Sequence, residues 1–571
     1  MTARPVIDDY AGRRRLVLGL FLLGMAVLVG RAVELQVFEH DFLRRMGDAR
    51  QTRTIAIPAH RGRILDRNGE LLAVSTPVDS IWVNPQLFPA TPDNLAALGQ
   101  ALGIATADLR ERLARHADKE FLYLRRHLNP DVARQVLALG LPGVNAQREY
   151  RRYYPMGEVF SHVVGFNDID DHGQAGLEKA FDDWLTGRPG LKRVLRDRRG
   201  HIIDDLALLR PAQPGKDLRL SLDARIQYVA YRELSRAVRR HRAKSGSIVV
   251  LDPHSGEILA MANQPGFNPN NRRELGDPAR YRNRAVTDLF EPGSTAKPFT
   301  IAAALESGRF RPDSLVDTAP GHYRVSGFPI RDKHNLGKID LATIIAKSSN
   351  VGASKLAMSI EPEQLWSVFH RVGFGQNTGS GFPGEAGGVL RDFSRWYPLD
   401  RATLSFGYGF AVTALQLAEA YGVLADDGRY RPPTFLKGQG SDAVEQVLRP
   451  RTARLVRRMM RGVVSPQGTG YRAAVPGYAV AGKTGTAKVA VRGGYARDRY
   501  IAAFAGMAPA DDPRLVVVVV IHEPGAGQFY GGQVAAPVFS RVMAEALNIL
   551  NVPPDDLDSV PAADSAMGDP V

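Results

Sequence analysis

Ser294 and Lys297 stand three residues apart in the stretch EPGSTAKPF (291–299). Pro292 and Gly293 resist helix, and Pro298 is tolerable only in a helix's first turn, where its missing N–H would be unpaired anyway. A helix should therefore begin here, with Ser294 near its N-terminus. Residues three apart share a helix face, so the Lys297 amine can reach the Ser294 hydroxyl, a nucleophile beside a possible base. The helix end adds free N–H groups and a positive dipole end for an oxyanion forming on an attacked carbonyl.

A lone Ser-x-x-Lys is most often solvated helix surface. Two further stretches follow it: KSSN (347–350), which supplies Ser348-x-Asn350, and GKTGT (482–486), which supplies Lys483-Thr484-Gly485. Lys297 can take the Ser294 proton only as a neutral amine, and a second cation nearby, Lys483, disfavours its charged form. Ser348 can relay a proton between the lysines and a leaving amine, while the Asn350 carboxamide can hold Lys297 and a substrate amide. Gly485 permits close backbone approach, so a peptide substrate could pair with this strand edge. Thr484 and Thr486 offer hydroxyls to a terminal carboxylate, and the backbone N–H groups of Ser294 and Thr486 would form an oxyanion hole. Each stretch also has a plainer reading: Ser-x-Asn as a turn or cap, Lys-Thr-Gly as a hairpin end.

The elements that must position these residues follow from patterning. GSIVVLDPHSGEILAMAN (246–263) reads as two short apolar strands joined by a turn, preceded by a helix near 223–240. YAVAGKTGTAKVAV (478–491) alternates like an edge strand, RLVVVVVIHEP (514–524) is apolar enough for a central strand, and a last helix is expected near 537–550. Upstream, IPAHRGRILDRNGELLAVS (57–75) reads as a hairpin around Arg67-Asn68-Gly69. The Arg, Asp and Glu residues between 40 and 215 read as scaffold salt bridges and turns.

At the N-terminus, Arg13, Arg14 and Arg15 precede the uncharged run LVLGLFLLGMAVLVG (16–30), interrupted by Arg31 and extended by Ala32 and Val33. A cleaved signal peptide is one reading, but no A-x-A-like site follows, and a snorkelling Arg31 lengthens the span towards the ~20 residues a bilayer needs. An uncleaved transmembrane anchor is expected, with the first residues cytoplasmic and the rest exported. The expected division is a cytoplasmic tail (1–15), anchor (16–36), mixed α/β pedestal (41–215), catalytic domain (216–550) and a disordered Pro/Asp-rich tail (551–571).

The 571 residues allow several cores, and the net charge of +14 is spread along the chain. No zinc-finger, RNA-recognition or basic-zipper pattern appears, so nucleic acid is not an expected partner. Cysteines are absent and no His-Glu-x-x-His is present, so no metal is expected. The Gly-rich loops lack the context of a nucleotide-binding fingerprint, and no cofactor is expected.

The three motifs match in order those of β-lactamases and penicillin-binding proteins. With PAHRGRILDRNGELLA (58–73), YYPMGEVFSHVVGF (153–166), GLEKAFDDWLTG (176–187) and VVLDPHSGEILAMANQPGFNPN (249–270), the chain resembles class B penicillin-binding proteins from about 13 to 550. It is most similar to the division-specific, septal (FtsI-type) peptidoglycan transpeptidases: Glu291 precedes Pro-Gly-Ser, where elongation-specific relatives usually carry Pro, and SSNVGASKLAM and GGQVAAPVFSRVM point the same way.

The resemblance implies a penicillin-recognising α/β fold, an antiparallel sheet flanked by helices, on an elongated pedestal. It implies that Ser294 attacks the D-Ala–D-Ala carbonyl of a peptidoglycan stem peptide, releases D-Ala and passes the acyl group to a neighbouring amine, and that β-lactam antibiotics acylate the same serine. Ser349 stands where class A β-lactamases have Asp, no acidic deacylation base can be assigned from the sequence, and slow hydrolysis is expected. A polytopic peptidoglycan glycosyltransferase and other division proteins are the implied partners, at the septal inner membrane. An elongation-specific transpeptidase, a β-lactamase, a β-lactam sensor and a structural scaffold remain as alternatives.

Overall fold

A computed structural model describes residues 11–39, 41, 52–196, 202–440 and 444–559. Helix α1 (Ala11–Val33) continues through a wider turn to Phe38. The exposed stretch Gly12–Phe38 is 27 residues long, about 40 Å at 1.5 Å per residue, and so long enough to cross the ~30 Å hydrocarbon layer once. Arg31, expected to reach for the interface, has a partner on its own helix in Glu34 at 2.7 Å. The expected cytoplasmic tail falls mostly outside the described residues.

The described chain forms two compact units, the smaller drawn from residues up to 60, 77–150 and 187–214, the larger from 61–76, 151–186 and 215 onwards. In the smaller unit β1 (Thr52–Ile57) is the edge of a three-stranded sheet, and β2 (Leu71–Val83), from residue 77, contributes to the core. Helices α2 (Pro92–Leu102), α3 (Thr106–Arg115) and α4 (Pro130–Leu137) pack with β3 (Leu122–Leu128) and β4 (Val144–Tyr153) around Ile81, Leu95, Leu109 and Leu124. The caps explain where helices start: Thr91 accepts from Asn94 N ahead of Pro92, and Asn129 accepts from Asp131 N ahead of Pro130. β5 (Gly190–Arg196) and β6 (Ile202–Arg210) complete the three-stranded sheet in the order β1-β5-β6.

Two segments of the expected pedestal fold with the larger unit. The hairpin read at 57–75 is present, with Ile64 opposite Ala73. Arg61 and Arg152, both almost fully buried, converge on the buried carboxylate of Glu178: Arg61 Nε donates to Oε2 at 2.9 Å and Arg152 Nε to Oε1 at 2.6 Å. Arg61 also reaches Asp182 at 2.7 Å. An ion left alone there would carry a large desolvation cost, so these partners lock 61–76 and 151–186 into one body.

The larger unit is built on a five-stranded antiparallel sheet. Helix α5 (Ala224–Arg240) leads into β7 (Ser245–Leu251) and β8 (Ile258–Gln264). Helices α6 (Lys297–Glu306), α7 (Leu341–Lys347), α8 (Asn350–Ser359), α9 (Ala414–Ala425) and α10 (Pro450–Val464) follow, then β9 (Ala481–Val491), β10 (Gly494–Ala508), β11 (Leu515–His522) and α11 (Ala536–Ile549). The strand order is β8-β7-β11-β10-β9. The valine run forms the central β11, and it is buried on both faces because α5 and α11 cover one side while α9 covers the other. The Lys-Thr-Gly motif lies on the edge strand β9.

The first residues of the tail expected to be disordered from 551 are held in place. Tyr478 OH donates to Val552 O at 2.6 Å, and Asp555 Oδ1 accepts from Ala479 N at 2.9 Å, so 552–556 is tied to the segment before β9. The tail from 560 lies outside the described residues.

Candidate active site

Ser294 lies in a single tight turn, Gly293–Ala296, that runs directly into α6 with Pro298 in its first turn, as the proline and glycine positions require. Glycines let this turn press on its neighbours. A Cβ on Gly407 would lie 1.9 Å from Gly293 O, and one on Gly485 would lie 2.9 Å from both Pro292 O and Thr295 Cγ2. Gly485, read from sequence as room for a substrate backbone, thus meets the turn that carries Ser294 and seats it on β9. Tyr421 OH on α9 fixes the turn from beneath through Thr295 O at 2.9 Å.

Ser348 joins α7 to α8 in the left-handed conformation, φ 60°, and caps α7 with its N–H. That joint turns its carbonyl to Lys297 Nζ at 2.7 Å and its hydroxyl to the same nitrogen at 3.1 Å. Ser349 opens α8, accepting from Gly352 N at 2.8 Å. Asp332, which the sequence did not single out, secures this helix start: its oxygens accept from Ser349 Oγ and Asn350 N at 2.5 Å and from Val351 N at 3.1 Å. A carboxylate at a helix N-terminus also satisfies the dipole. No local pattern around 332 announces this role, because the contact spans a loop.

Lys297 Nζ lies 3.0 Å from Ser294 Oγ and 2.7 Å from Asn350 Oδ1. The Ser348 carbonyl and the Asn350 carboxamide oxygen can only accept, so they use both N–H bonds of a neutral amine. Its lone pair is then left for a hydroxyl proton. Burial holds the Lys297 amine well below the usual lysine range, and the nearby Lys483 amine lowers it further, against a smaller opposing effect of Asp332. The geometry accommodates the neutral form, and burial with the nearby Lys483 amine favours it.

Lys483, also fully buried, donates to Ser348 Oγ at 3.0 Å and to the Thr484 carbonyl at 3.2 Å. Burial brings it down to about 7, so it is not the fixed cation that the sequence suggested: near neutrality it too exchanges a proton. The Ser348 hydroxyl therefore lies between two lysines that both titrate below their ordinary value. Thr484 Oγ1 is 3.0 Å from Thr469 Oγ1, and Thr486 Oγ1 accepts from Gly531 N at 3.0 Å, which leaves the Thr486 hydroxyl proton available to a ligand.

Ser294, Ser348, Asn350, Thr484 and Thr486 line a cleft of about 710 Å³, with the two buried lysines behind them. Its outer lining includes Arg331, Lys333, Lys347, Arg472 and Lys488, none of which has an ion-pair partner among the described residues. Asp332 is turned to the α8 N-terminus. A cleft with this surplus of positive charge concentrates anionic ligands. Seven of the residues picked from sequence, Ser294, Lys297, Ser348, Asn350, Lys483, Thr484 and Thr486, come together here, while Gly485 lies beneath.

Residues 246–544 match the penicillin binding protein transpeptidase domain and residues 56–220 the penicillin-binding protein dimerisation domain. The chain is 44% identical to a probable peptidoglycan D,D-transpeptidase, PbpC, of Pseudomonas aeruginosa, over 96% of this chain and 97% of the relative. It is 43% identical to the peptidoglycan D,D-transpeptidase FtsI of Escherichia coli, over 95% and 93%. Among solved structures, penicillin-binding protein 3 of Mycobacterium tuberculosis in complex with aztreonam superposes with a TM-score of 0.68 at 29% identity, covering 89% of this chain and all of that one.

Proposed function

The chain belongs to the class B penicillin-binding proteins and is a serine-type peptidoglycan D,D-transpeptidase, and on that premise we propose how its own residues carry the reaction. Ser294 is the nucleophile and Lys297 its base. The Ser294 hydroxyl proton passes to the Lys297 lone pair as Oγ attacks the carbonyl of the penultimate D-Ala. The backbone N–H groups of Ser294 and Thr486 receive the oxyanion, worth about 3–4 kcal/mol per donor where such sites have been measured. A proton then moves through Ser348 Oγ, between the two lysines, to the departing amine. The terminal D-Ala leaves and its acyl partner stays on Ser294.

The hydroxyls of Thr484 and Thr486 take the terminal carboxylate, and the backbone of β9 pairs with the stem. Transfer to an amine of a neighbouring stem completes the cross-link, and β-lactams acylate the same serine. The observation that carries this reading is the Lys297 amine, buried, 3.0 Å from the Ser294 hydroxyl, with two obligate acceptors already on it.

The biological setting is septal wall synthesis, with the helix Gly12–Phe38 as a single inner-membrane anchor, the catalytic unit periplasmic, and a polytopic glycosyltransferase and other division proteins as partners. Glu291 ahead of Pro-Gly-Ser and the FtsI relative support it. The test of the chemistry is the intact mass of the protein after brief exposure to penicillin, beside S294A. An adduct in the first and none in the second is expected, and modification of both would move the nucleophile elsewhere. For the setting, S294A that reaches normal membrane abundance should fail to restore division, whereas rescue would make the chain a scaffold.

A further inference from the structure

We propose that a second, basic cleft opening from one end of the active site is the subsite for the acceptor stem peptide, which it holds by carboxylates on that peptide. This rests on the transpeptidase reading above. The cleft, about 450 Å³, lies between the C-terminal half of α5 and the start of α11, and shares Arg472 and Gln533 with the active cleft.

Its charge is unbalanced. Glu233, 1% exposed, receives Arg541 Nε at 2.5 Å and Arg236 at 2.8 Å. Glu233 also pairs with Arg232 at 2.9 Å, so one carboxylate serves three guanidiniums, although Arg232 has Glu545 as well. Arg240 and Arg472, both exposed, have no acidic partner among the described residues. Guanidiniums bind carboxylates as two-pronged donors, and a cleft concentrates their field.

Its position supplies the rest of the case. The active cleft runs along β9: Lys488 and its cross-strand neighbour Tyr500 line one end. The other end is marked by Thr469, bonded to Thr484, with Gly532 packed against its carbonyl and Gln533 following. A donor whose terminal carboxylate rests on Thr484 and Thr486 sends its stem towards Lys488. Its terminal residue therefore departs at the Thr469 end. The incoming amine must occupy the place of the departing one, because transfer retraces acylation with a new amine. Its nitrogen attacks the acyl carbon, the C–N bond forms as the C–Oγ bond to Ser294 breaks, and the proton released by the amine returns to Ser294 Oγ. The chain behind that nitrogen then extends past Thr469 towards Arg472 and Arg240.

The test uses the full-length protein in detergent, a D-alanyl thioester as donor, and two peptide acceptors that differ only in a free or amidated carboxylate distal to the amine. In R240E, penicillin acylation and transfer to the amidated acceptor should stay within about twofold of wild type, while transfer to the carboxylate acceptor falls about fivefold. Arg240 lines only the second cleft and its side chain is exposed, so folding is not in question. Equal losses with both acceptors, or no loss with either, would overturn the subsite. Absence of any acyl-enzyme in wild type would instead overturn the transpeptidase chemistry, and the subsite with it.

Discussion

Two clusters of buried charge in the larger unit share one degree of burial and differ in how their charges are matched. Around Glu178, two guanidiniums and a carboxylate are paired within 3 Å, and Asp182 balances the second positive charge. Around Ser348, two lysine amines approach one hydroxyl, at 3.1 and 3.0 Å, and no carboxylate is bonded to either amine among the described residues. The first arrangement keeps its ions and ties chain segments together. The second lets burial, and for Lys297 like-charge repulsion too, remove protons, which is what the proposed role of Lys297 as a base requires. Burial alone therefore does not mark a catalytic group; burial without a counter-charge does.

The largest expected effect falls on the unmatched cluster. Lys297→Ala should slow penicillin acylation by about 10³-fold, read by stopped-flow or timed mass spectrometry, while the melting temperature is held or rises because a buried amine is removed. Retained acylation would mean that the proton goes elsewhere. The matched cluster should answer the other way. Glu178→Ala strands the buried Arg152 guanidinium and leaves Arg61 only the Asp182 carboxylate, and should cost about 3–5 kcal/mol in denaturant unfolding, with the acylation rate of the folded fraction close to wild type. If E178A instead lost acylation at undiminished stability, the distinction between the clusters would fail.

A smaller effect sharpens the comparison through pH. Lys483 has a pKa of about 7 in the folded protein against 10.5 for the ordinary side chain. Between those values the unfolded chain binds a proton that the folded chain does not, so stability rises with pH across that window and is flat below it. Lys483→Met removes this slope. Calorimetry should find the variant melting higher than wild type near pH 7, with the gap narrowing towards pH 10. A gap independent of pH would return Lys483 to an ordinary surface-like lysine.

Much of the site was legible because its pieces are local. Ser294 and Lys297 needed only helical spacing and the prolines on either side, and the central and edge strands needed only an apolar run and an alternating one. What the sequence hid are contacts across loops. Asp332 reaches Ser349 and Asn350 through a fold in the chain, and Thr469 meets Thr484 only once β9 is in place. Gly485 was legible as a close approach, but the partner, Pro292 and Thr295, depends on tertiary packing. Lys483 was legible as a neighbour of Lys297, whereas its own burial, and so its loss of fixed charge, was not. Segments 61–76 and 151–186 read as pedestal, since nothing local reveals that Arg61 and Arg152 share one carboxylate.

The central claim is that Lys297 is a neutral base for Ser294, and the pH dependence of penicillin acylation tests it most directly. A base that works only when neutral gives a rate that rises with pH through its folded-state pKa and then levels. With Lys297 held well below 10.5 by burial and by Lys483, the rise should be complete far below pH 10. A rate that still climbs about tenfold per pH unit towards 10.5 would show an ordinary lysine and contradict the account.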